Sequence, residues 1–425
     1  MLKLNRLLHS SVKNGTFGHN ITVSPEQRKF LVSCKNKIRE HLRPAIEKVS
    51  TTTLGMDRQV TPRFRTQGSW AYETCVHPCT LPPQEIDWDY GVYLPITVWE
   101  ENGPPIDMAQ AYFALVEQLL KDLCTNEGWT LDTSKDTCIR INVAAWAHID
   151  VPLYAASEEE FKKVTEVRLV EAAALRKGFA NDSANFAEDA AFGDLVGQTW
   201  DEMEGIVLAT RSGEWIPSDP NDVAKWFKDR VQEHGPQLLR VCRFLKAWRD
   251  YRWAEKGPTS VSIMIAVAQS FTPVSGRDDL ALELAAHSLA KALLADIREP
   301  GIDNGEDDFN KRLSEKERLE ASALAQALAN SMREAREQNL VQAERAILIL
   351  QGQLGNRLPN QPSWVDADSS GEDIRRVPAA SVPPPVVPAT NAGYAHDARW
   401  LRPRLERADA IWAEARQGSR GCSGV

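Results

Sequence analysis

The chain has 425 residues, 43% hydrophobic and 26% charged, long enough for two packed lobes and ordinary in balance for a soluble globular protein. Its formal net charge of −9 argues against a general nucleic-acid coat protein and leaves room only for a local basic groove. The seven cysteines (34, 75, 79, 124, 138, 242 and 422) are scattered and odd in number, as in a reduced cytoplasmic setting; the first twenty residues hold too short an apolar run for a signal peptide, and no window approaches a membrane span.

Ser24–Ser50 predicts a helix: Ser24 can cap it, Pro25 suits its first turn, and Phe30, Ile38, Leu42 and Ile46 recur at roughly helical spacing. A Gly68-Ser69 turn follows, of the kind whose backbone N–H groups can hold a phosphate. Cys75, His77 and Cys79 lack a fourth ligand at zinc spacing and read as a loop with ordinary thiols. Gln84–Pro95 reads as a strand. On it Asp87 and Asp89 lie two residues apart and point the same way. Glu85 shares their parity and reads equally well as a site member or as a rim carboxylate. Met108–Glu127 predicts a helix with Tyr112, Leu115, Val116, Leu119 and Leu123 on one face. Cys138–Tyr154 reads as the next strand region: odd positions from Ile139 to Ile149 are apolar, and even positions carry Arg140, Asn142, His148 and Asp150. Arg140 and Asp150 then face one side, where burial would require a partner for each.

Beyond about Glu158 the pattern turns helical, with Asn221–Glu233, Pro236–Trp253, Leu280–Arg298 and Ser314–Gly352 all fitting helices. In the second, Leu238, Val241, Leu245 and Trp248 form an apolar stripe, with Arg240, Arg243, Lys246 and Arg249 off it. The turn Gly257-Pro258-Thr259-Ser260 restarts an apolar helix at Val261. Seven prolines between Leu358 and Gly393 mark an extended linker, Pro403–Arg416 reads as a short amphipathic helix, and the tail SRGCSGV as mobile.

Two carboxylates side by side repel, and a divalent cation relieves the repulsion. Two cations about 3.5–4 Å apart can hold the attacking and leaving oxygens of a phosphoryl or nucleotidyl transfer. Mg²⁺ favours a few carboxylates plus water and substrate phosphate. Asp87 and Asp89 supply two carboxylates, and Asp150, in HIDVPLY, is the best third. Gly68 and Ser69 would hold a triphosphate, with Lys246 and Ser260 at its far end. Each piece alone is common; their joint occurrence in this order points to metal-assisted nucleotide chemistry.

The segments TPRFRTQGSWAYET, PPQEIDWDYGVYLP, HIDVPLYA, WIPSDPNDVAKWF and LLRVCRFLKAWRDYRWAEKGPTSVSIM, spread from Thr61 to Met264, resemble the polymerase-β-type nucleotidyltransferases. More closely they resemble the cGAS/DncV-like nucleotidyltransferases (CD-NTases), and among them the DncV type. The resemblance implies an α+β fold: a polymerase-β-like sheet lobe packed against a helical lobe, the active site in the cleft between them and the first long helix bracing both. It implies a catalytic lobe at 1–160 with that helix, a helical lobe at 161–357, a Pro-rich linker at 358–393 and a short helix with a flexible tail at 394–425. Asp87, Asp89 and Asp150 would be the metal triad. Gln67 and Ser69 would belong to the loop that grips the donor triphosphate, Arg140 would contact the second nucleotide's phosphates, and Lys246 and Ser260 the donor phosphates. Tyr72 would line a nucleobase pocket or serve as a core tyrosine. Asp307, Asp308 and Asn310 would select a base. Trp88 and Tyr90 depart from the family pattern and would reshape the pocket.

The implied activity joins two nucleoside triphosphates, ATP and/or GTP, into a cyclic dinucleotide with pyrophosphate release, using two Mg²⁺ ions or Mn²⁺, as second-messenger production in CBASS antiphage defence. A template-independent transferase making linear products and a catalytically decayed scaffold are the alternatives. Without a zinc ribbon, no nucleic-acid activator is expected. Ubiquitin-like machinery conjugates the C-terminus of many such enzymes, whose tails end in Gly or Ala where this one ends Gly424-Val425. Base choice and linkage stay open.

Overall fold

One strand, β3 (Ile86–Ile96), organises the sheet in this computed structural model, which describes residues 1–12, 14–96, 106–159, 161, 205–218, 220–303 and 305–368. The strands in chain order are β1 (Leu2–Lys3), β2 (Arg63–Thr66), β3, β4 (Thr130–Asp132), β5 (Ile139–Ala144), β6 (Ala147–Val151), β7 (Leu153–Ser157), β8 (Val207–Ala209), β9 (Trp215–Pro217) and β10 (Asp366–Ala367). The first half of β3 pairs parallel with β6, and its second half parallel with β7, beyond Pro152. β2 pairs antiparallel with the middle of β3, β4 and β5 extend the sheet from β6, and β8 and β9 extend it from β7.

Alternation along β3 sorts its side chains. Ile86, Trp88, Tyr90, Val92 and Leu94 enter a core completed by Leu31, Cys34, Ile38, Leu42 and Ile46 of the Pro25–Val49 helix and by Tyr112, Val116 and Leu120 of the Ile106–Glu127 helix. Asp87 and Asp89 therefore face the other side. Trp88 stacks on Trp70 and Tyr90 on Phe64 within or against that core, so the two departures at Trp88 and Tyr90 leave the pocket face untouched, contrary to the expectation that they reshape it. The long helix begins where Ser24 predicts: its hydroxyl accepts from the Gln27 N–H while the Gln27 side chain accepts from the Ser24 N–H.

The Cys138–Tyr154 region is three strands, not one. A hairpin turn at Ala145-Trp146 reverses the chain between β5 and β6. The faces still come out as the alternation predicts, because the hairpin pairs even with even: Arg140 with Asp150 and Asn142 with His148. β8 and β9, which the helical pattern after Glu158 does not announce, carry the sheet past residue 160.

The helical lobe is built from Pro220–His234, Pro236–Arg252, Ser260–Ala268, Asp278–Ala292, Glu315–Glu337 and Ala343–Leu354 around fully buried Trp248. The helix read as Ser314–Gly352 breaks at Gln338–Gln342, where Asn339 caps a short 3₁₀ turn. Leu2, Leu4, Leu7, Leu8, Phe17 and Ile21 belong to this lobe's core, while the long helix that follows packs on the sheet. The start of the sequence-derived linker is folded here too: β10 pairs with β1, and Asp368 accepts from Arg277. Among the described residues no helix is long and apolar enough to cross a membrane. The expected Pro-rich stretch beyond 368, the final helix and the Gly424-Val425 end lie outside the described residues.

The proposed base-selecting residues hold a loop to the helices. Asn310, buried, donates to the Leu293 and Ala295 carbonyls at 3.0 and 2.8 Å. Asp308 accepts from the Ile297 and Asn310 N–H groups and pairs with Arg318; Asp307 pairs with Lys311. Asn310→Ala leaves the buried Leu293 carbonyl and the part-buried Ala295 carbonyl without their donor and is expected to lower stability by about 1–3 kcal/mol, read by denaturant unfolding, with nucleotide preference unchanged. An altered preference at unchanged stability would return these residues to base selection.

Candidate active site

The register of two parallel strands assembles the acidic centre: Asp87 stands beside His148, and Asp89 beside Asp150. Asp150 is buried and takes two hydrogen bonds from Arg140, at 2.6 and 2.7 Å, and one from Lys135 at 3.3 Å. Arg140 and Asp150 thus supply the partners that their burial demands. Burial alone would raise the Asp150 carboxyl, but the Arg140 guanidinium outweighs it and the net direction is down. Asp89 has the opposite balance. Burial, then the charges of Asp87 and Asp150, push its carboxyl up to about 7.

Gly68 adopts φ +60°, and a Cβ there would lie 2.0 Å from Asp89 Oδ2, so the turn presses its bare Cα against the carboxylate. Gln67, just before it, turns its side chain into the sheet lobe. It is buried, donating to the Tyr93 hydroxyl and accepting from that of Tyr154. Gly91 makes room for it, since a Cβ there would meet the Gln67 amide at 2.3 Å. Ser69 accepts at its carbonyl from the Thr74 N–H, and Thr74 in turn accepts at its carbonyl and hydroxyl from Lys246, at 2.8 and 3.3 Å. Lys246, fully enclosed and with its pKa lowered by burial to about 8, therefore ties the helical lobe to the Gly-Ser turn. Ser260 accepts from Arg249. Tyr72 packs against the helical core, and burial, then the Asp89 charge, raises its phenol; of its two readings, the core tyrosine fits this packing.

The sequence reading missed His148 as a site residue. It is 6% exposed, with Nδ1 2.5 Å from Glu85 Oε2 and Nε2 2.9 Å from Asp87 Oδ1. Burial opposes its protonation, but the Asp87 carboxylate prevails and its pKa is raised. Its parity with Asp150 was the available signal. Glu85, open between two readings, is the partner of this histidine. Ligand atoms of Asp87, His148 and Asp150 lie within 4.8 Å of one another, a set able to hold a divalent cation. The fit rests on the burial and mutual repulsion that raise Asp89 and on the donor set itself, two carboxylates and an imidazole converging on one place.

A mixed sheet with two aspartates on its hub strand, a third on the adjoining parallel strand and a Gly-Ser turn pressed on the second aspartate defines a polymerase-β-like nucleotidyltransferase fold. Residues 62–154 match the family model described as cyclic GMP-AMP synthase DncV-like, nucleotidyltransferase domain, and residues 235–367 match the cyclic GMP-AMP synthase C-terminal domain. The chain belongs to the DncV-like nucleotidyltransferase family.

It is similar to a cyclic GMP-AMP synthase of Vibrio cholerae, 39% identical over 221 residues covering 51% of this chain and 49% of the relative. It is also similar to one of Escherichia coli, 35% identical over 264 residues covering 59% and 56%. The chain spans about half the length of the curated relatives it matches. Among solved structures, Vibrio cholerae DncV in complex with a linear pppA(3′,5′)pG intermediate has a TM-score of 0.67 at 24% identity, covering 87% of this chain and 99% of that one, a likeness of fold. Escherichia coli DncV in its 3′-deoxy GTP bound form has a TM-score of 0.63 at 22% identity, covering 86% and 100%.

The Asp89 pKa gives a signed pH prediction. Its folded value of about 7 lies above the ordinary 3.8, so the folded state binds the proton more tightly than the unfolded one. The metal-free fold is expected to lose stability as pH rises from about 4 to about 7, with the loss complete above that window. Asp89→Asn is expected to flatten the decline in melting temperatures measured in EDTA. An unchanged slope would place the origin elsewhere.

Proposed function

We propose that the chain is a cyclic dinucleotide synthase that joins two nucleoside triphosphates, ATP and GTP, with release of pyrophosphate. One observation carries the reading: Asp87 and Asp89 stand in register with the β6 segment that bears Asp150, with the Gly68 backbone closed against Asp89. In each of two steps a ribose hydroxyl oxygen bonds to an α-phosphorus, the bond to pyrophosphate breaks, and the hydroxyl's proton passes to solvent. Two divalent cations, Mg²⁺ or Mn²⁺, when bound by Asp87, Asp89 and Asp150, supply charge neutralisation for the attacking and leaving oxygens. Asp150, held ionised by Arg140, is ready to ligate or to receive charge without first losing a proton. The backbone at Gly68-Ser69 would position the triphosphate. Lys246 would set that turn through Thr74 and contribute positive charge behind it, with Ser260 and Arg249 on the same lobe. Phosphates of the second nucleotide would compete with Asp150 for Arg140.

The curated relatives are named cyclic GMP-AMP synthase, and a point variant of Vibrio cholerae DncV has been solved in complex with ATP, GTP and 5MTHFGLU2, which supports ATP and GTP as the pair. The product would serve as a second messenger in CBASS antiphage defence, made in a reducing cytoplasm. A linear-product transferase needs a basic tract for its acceptor strand, which a net charge of −9 disfavours. A decayed scaffold would have no reason to keep three aspartates in register.

Incubation with labelled ATP, GTP and Mg²⁺ is expected to give a nuclease-sensitive cyclic dinucleotide, resolved by chromatography. Asp87→Asn/Asp89→Asn is expected to lower its formation by about three orders of magnitude. Linear products alone would favour the transferase alternative, and undiminished product in the variant would remove the metal-triad assignment.

A further inference from the structure

We propose that Lys135 is a movable counter-charge: its ammonium pairs with Asp150 until that carboxylate takes a divalent cation, and then turns to the phosphates of the second nucleoside triphosphate. This rests on the proposed function for the place of the cation and adds a substrate-binding residue to it.

Three hydrogen bonds converge on the Asp150 carboxylate, and they are unequal. Arg140 makes two of them with one rigid fork, Nε to Oδ1 at 2.6 Å and Nη2 to Oδ2 at 2.7 Å. The Lys135 ammonium makes the third, on Oδ2, at 3.3 Å. The lysine side chain is 37% exposed and the arginine 20%. Against burial, which raises the Asp150 carboxyl, Arg140 acts most strongly, His148 next and Lys135 after them. Lys135 is therefore the donor that this carboxylate gives up most readily. A divalent cation on the same oxygen would set positive charge against the ammonium, and like charges at such range repel.

The backbone limits where the displaced charge can go. The loop between β4 and β5 is pinned along its length. Ser134 donates its N–H to Asp132 Oδ1 at 2.8 Å, and the Lys135 carbonyl accepts from Arg211 Nε at 3.2 Å. The Asp136 carbonyl accepts from the Arg211 N–H at 2.8 Å, and Asp136 Oδ1 from the Ser212 N–H at 3.1 Å. Arg211 is itself paired with Glu117. The main chain at Lys135 is thus fixed, and the four-carbon stem is what can swing. Its ammonium stays beside Arg140, where phosphates of the second nucleotide would compete with Asp150 for the guanidinium. An ammonium carries three donors and no acceptor, which suits a phosphate as well as a carboxylate. Passing from one to the other keeps it paired throughout, so no charge is stranded.

The test uses the full chain, stripped with EDTA. Mn²⁺ binding without nucleotide is measured by calorimetry in the parent chain and in Lys135→Met, which keeps the stem and removes the charge. With a competitor gone, Lys135→Met is expected to bind Mn²⁺ about threefold more tightly. Synthesis is then followed with one triphosphate varied against a saturating amount of the other. In Lys135→Met the KM of one triphosphate is expected to rise about tenfold, with the other KM and kcat near parent values. Lys135→Arg is expected to restore most of that KM. A lysine with only a structural role would not tighten one ligand while loosening another. Unchanged KM values overturn the inference and leave Lys135 a counter-ion to Asp150. Unchanged or weaker Mn²⁺ binding in Lys135→Met overturns it as well. If the parent chain makes no product, the proposed function fails separately, and the same tenfold contrast is read from equilibrium binding of non-hydrolysable ATP and GTP analogues in Mn²⁺. No Mn²⁺ binding by the parent chain overturns both.

Discussion

Carboxylates held on adjacent parallel strands repel one another, and the rest of the structure is arranged around that repulsion. Asp150 is answered by Arg140 and Lys135, and Asp87 by His148. Asp89 meets instead the bare Cα of Gly68, and its proton affinity rises accordingly. A fold does not concentrate charge in this way for stability, since a buried carboxylate without compensation costs on the order of several kcal/mol in the ionised form. A divalent cation bound there would reverse its sign.

The helical lobe contributes by controlling the backbone in front of the acids. Lys246 reaches Thr74, Thr74 bonds Ser69, and Gln84 donates to the Asp250 and Trp253 carbonyls, so the segment between the Gly-Ser turn and β3 is tied to the lobe at both ends. A turn fixed in this way presents its N–H groups without the ordering cost a free loop would incur on binding. It also explains why a lysine can be fully enclosed, with its pKa brought down to about 8: its hydrogen bonds go to a carbonyl and a hydroxyl of the segment it holds.

Much of this was legible in the sequence, and the exceptions share a cause. Parity along a strand is local, so Asp87 and Asp89 could be placed on one face from spacing alone, and the Ser24 cap could be read from four residues. Arg140 and Asp150 were correctly put on one side even though the hairpin at Ala145-Trp146 was missed, because its register pairs even residues with even. What sequence could not give was the partner of each group across strands. His148 stands beside Asp87, the Gln67 side chain bonds two tyrosine hydroxyls, and the Asn310 amide bonds helix carbonyls. Each depends on which strand or helix lies next door. The sheet's extension through β8 and β9, and the placement of Leu2, Leu4, Leu7 and Leu8 in the helical core, are likewise long-range pairings that no local pattern announces.

The central claim is that a divalent cation is the missing partner of these carboxylates, and thermal unfolding at neutral pH with and without added Mg²⁺ or Mn²⁺ tests it most directly. A cation that binds only the folded state must raise the melting temperature in proportion to its saturation. The account predicts a concentration-dependent rise in the parent chain that is absent in Asp87→Asn/Asp89→Asn, whose metal-free stability is itself higher. A melting temperature indifferent to the cation, or a rise that persists undiminished in the variant, would contradict it.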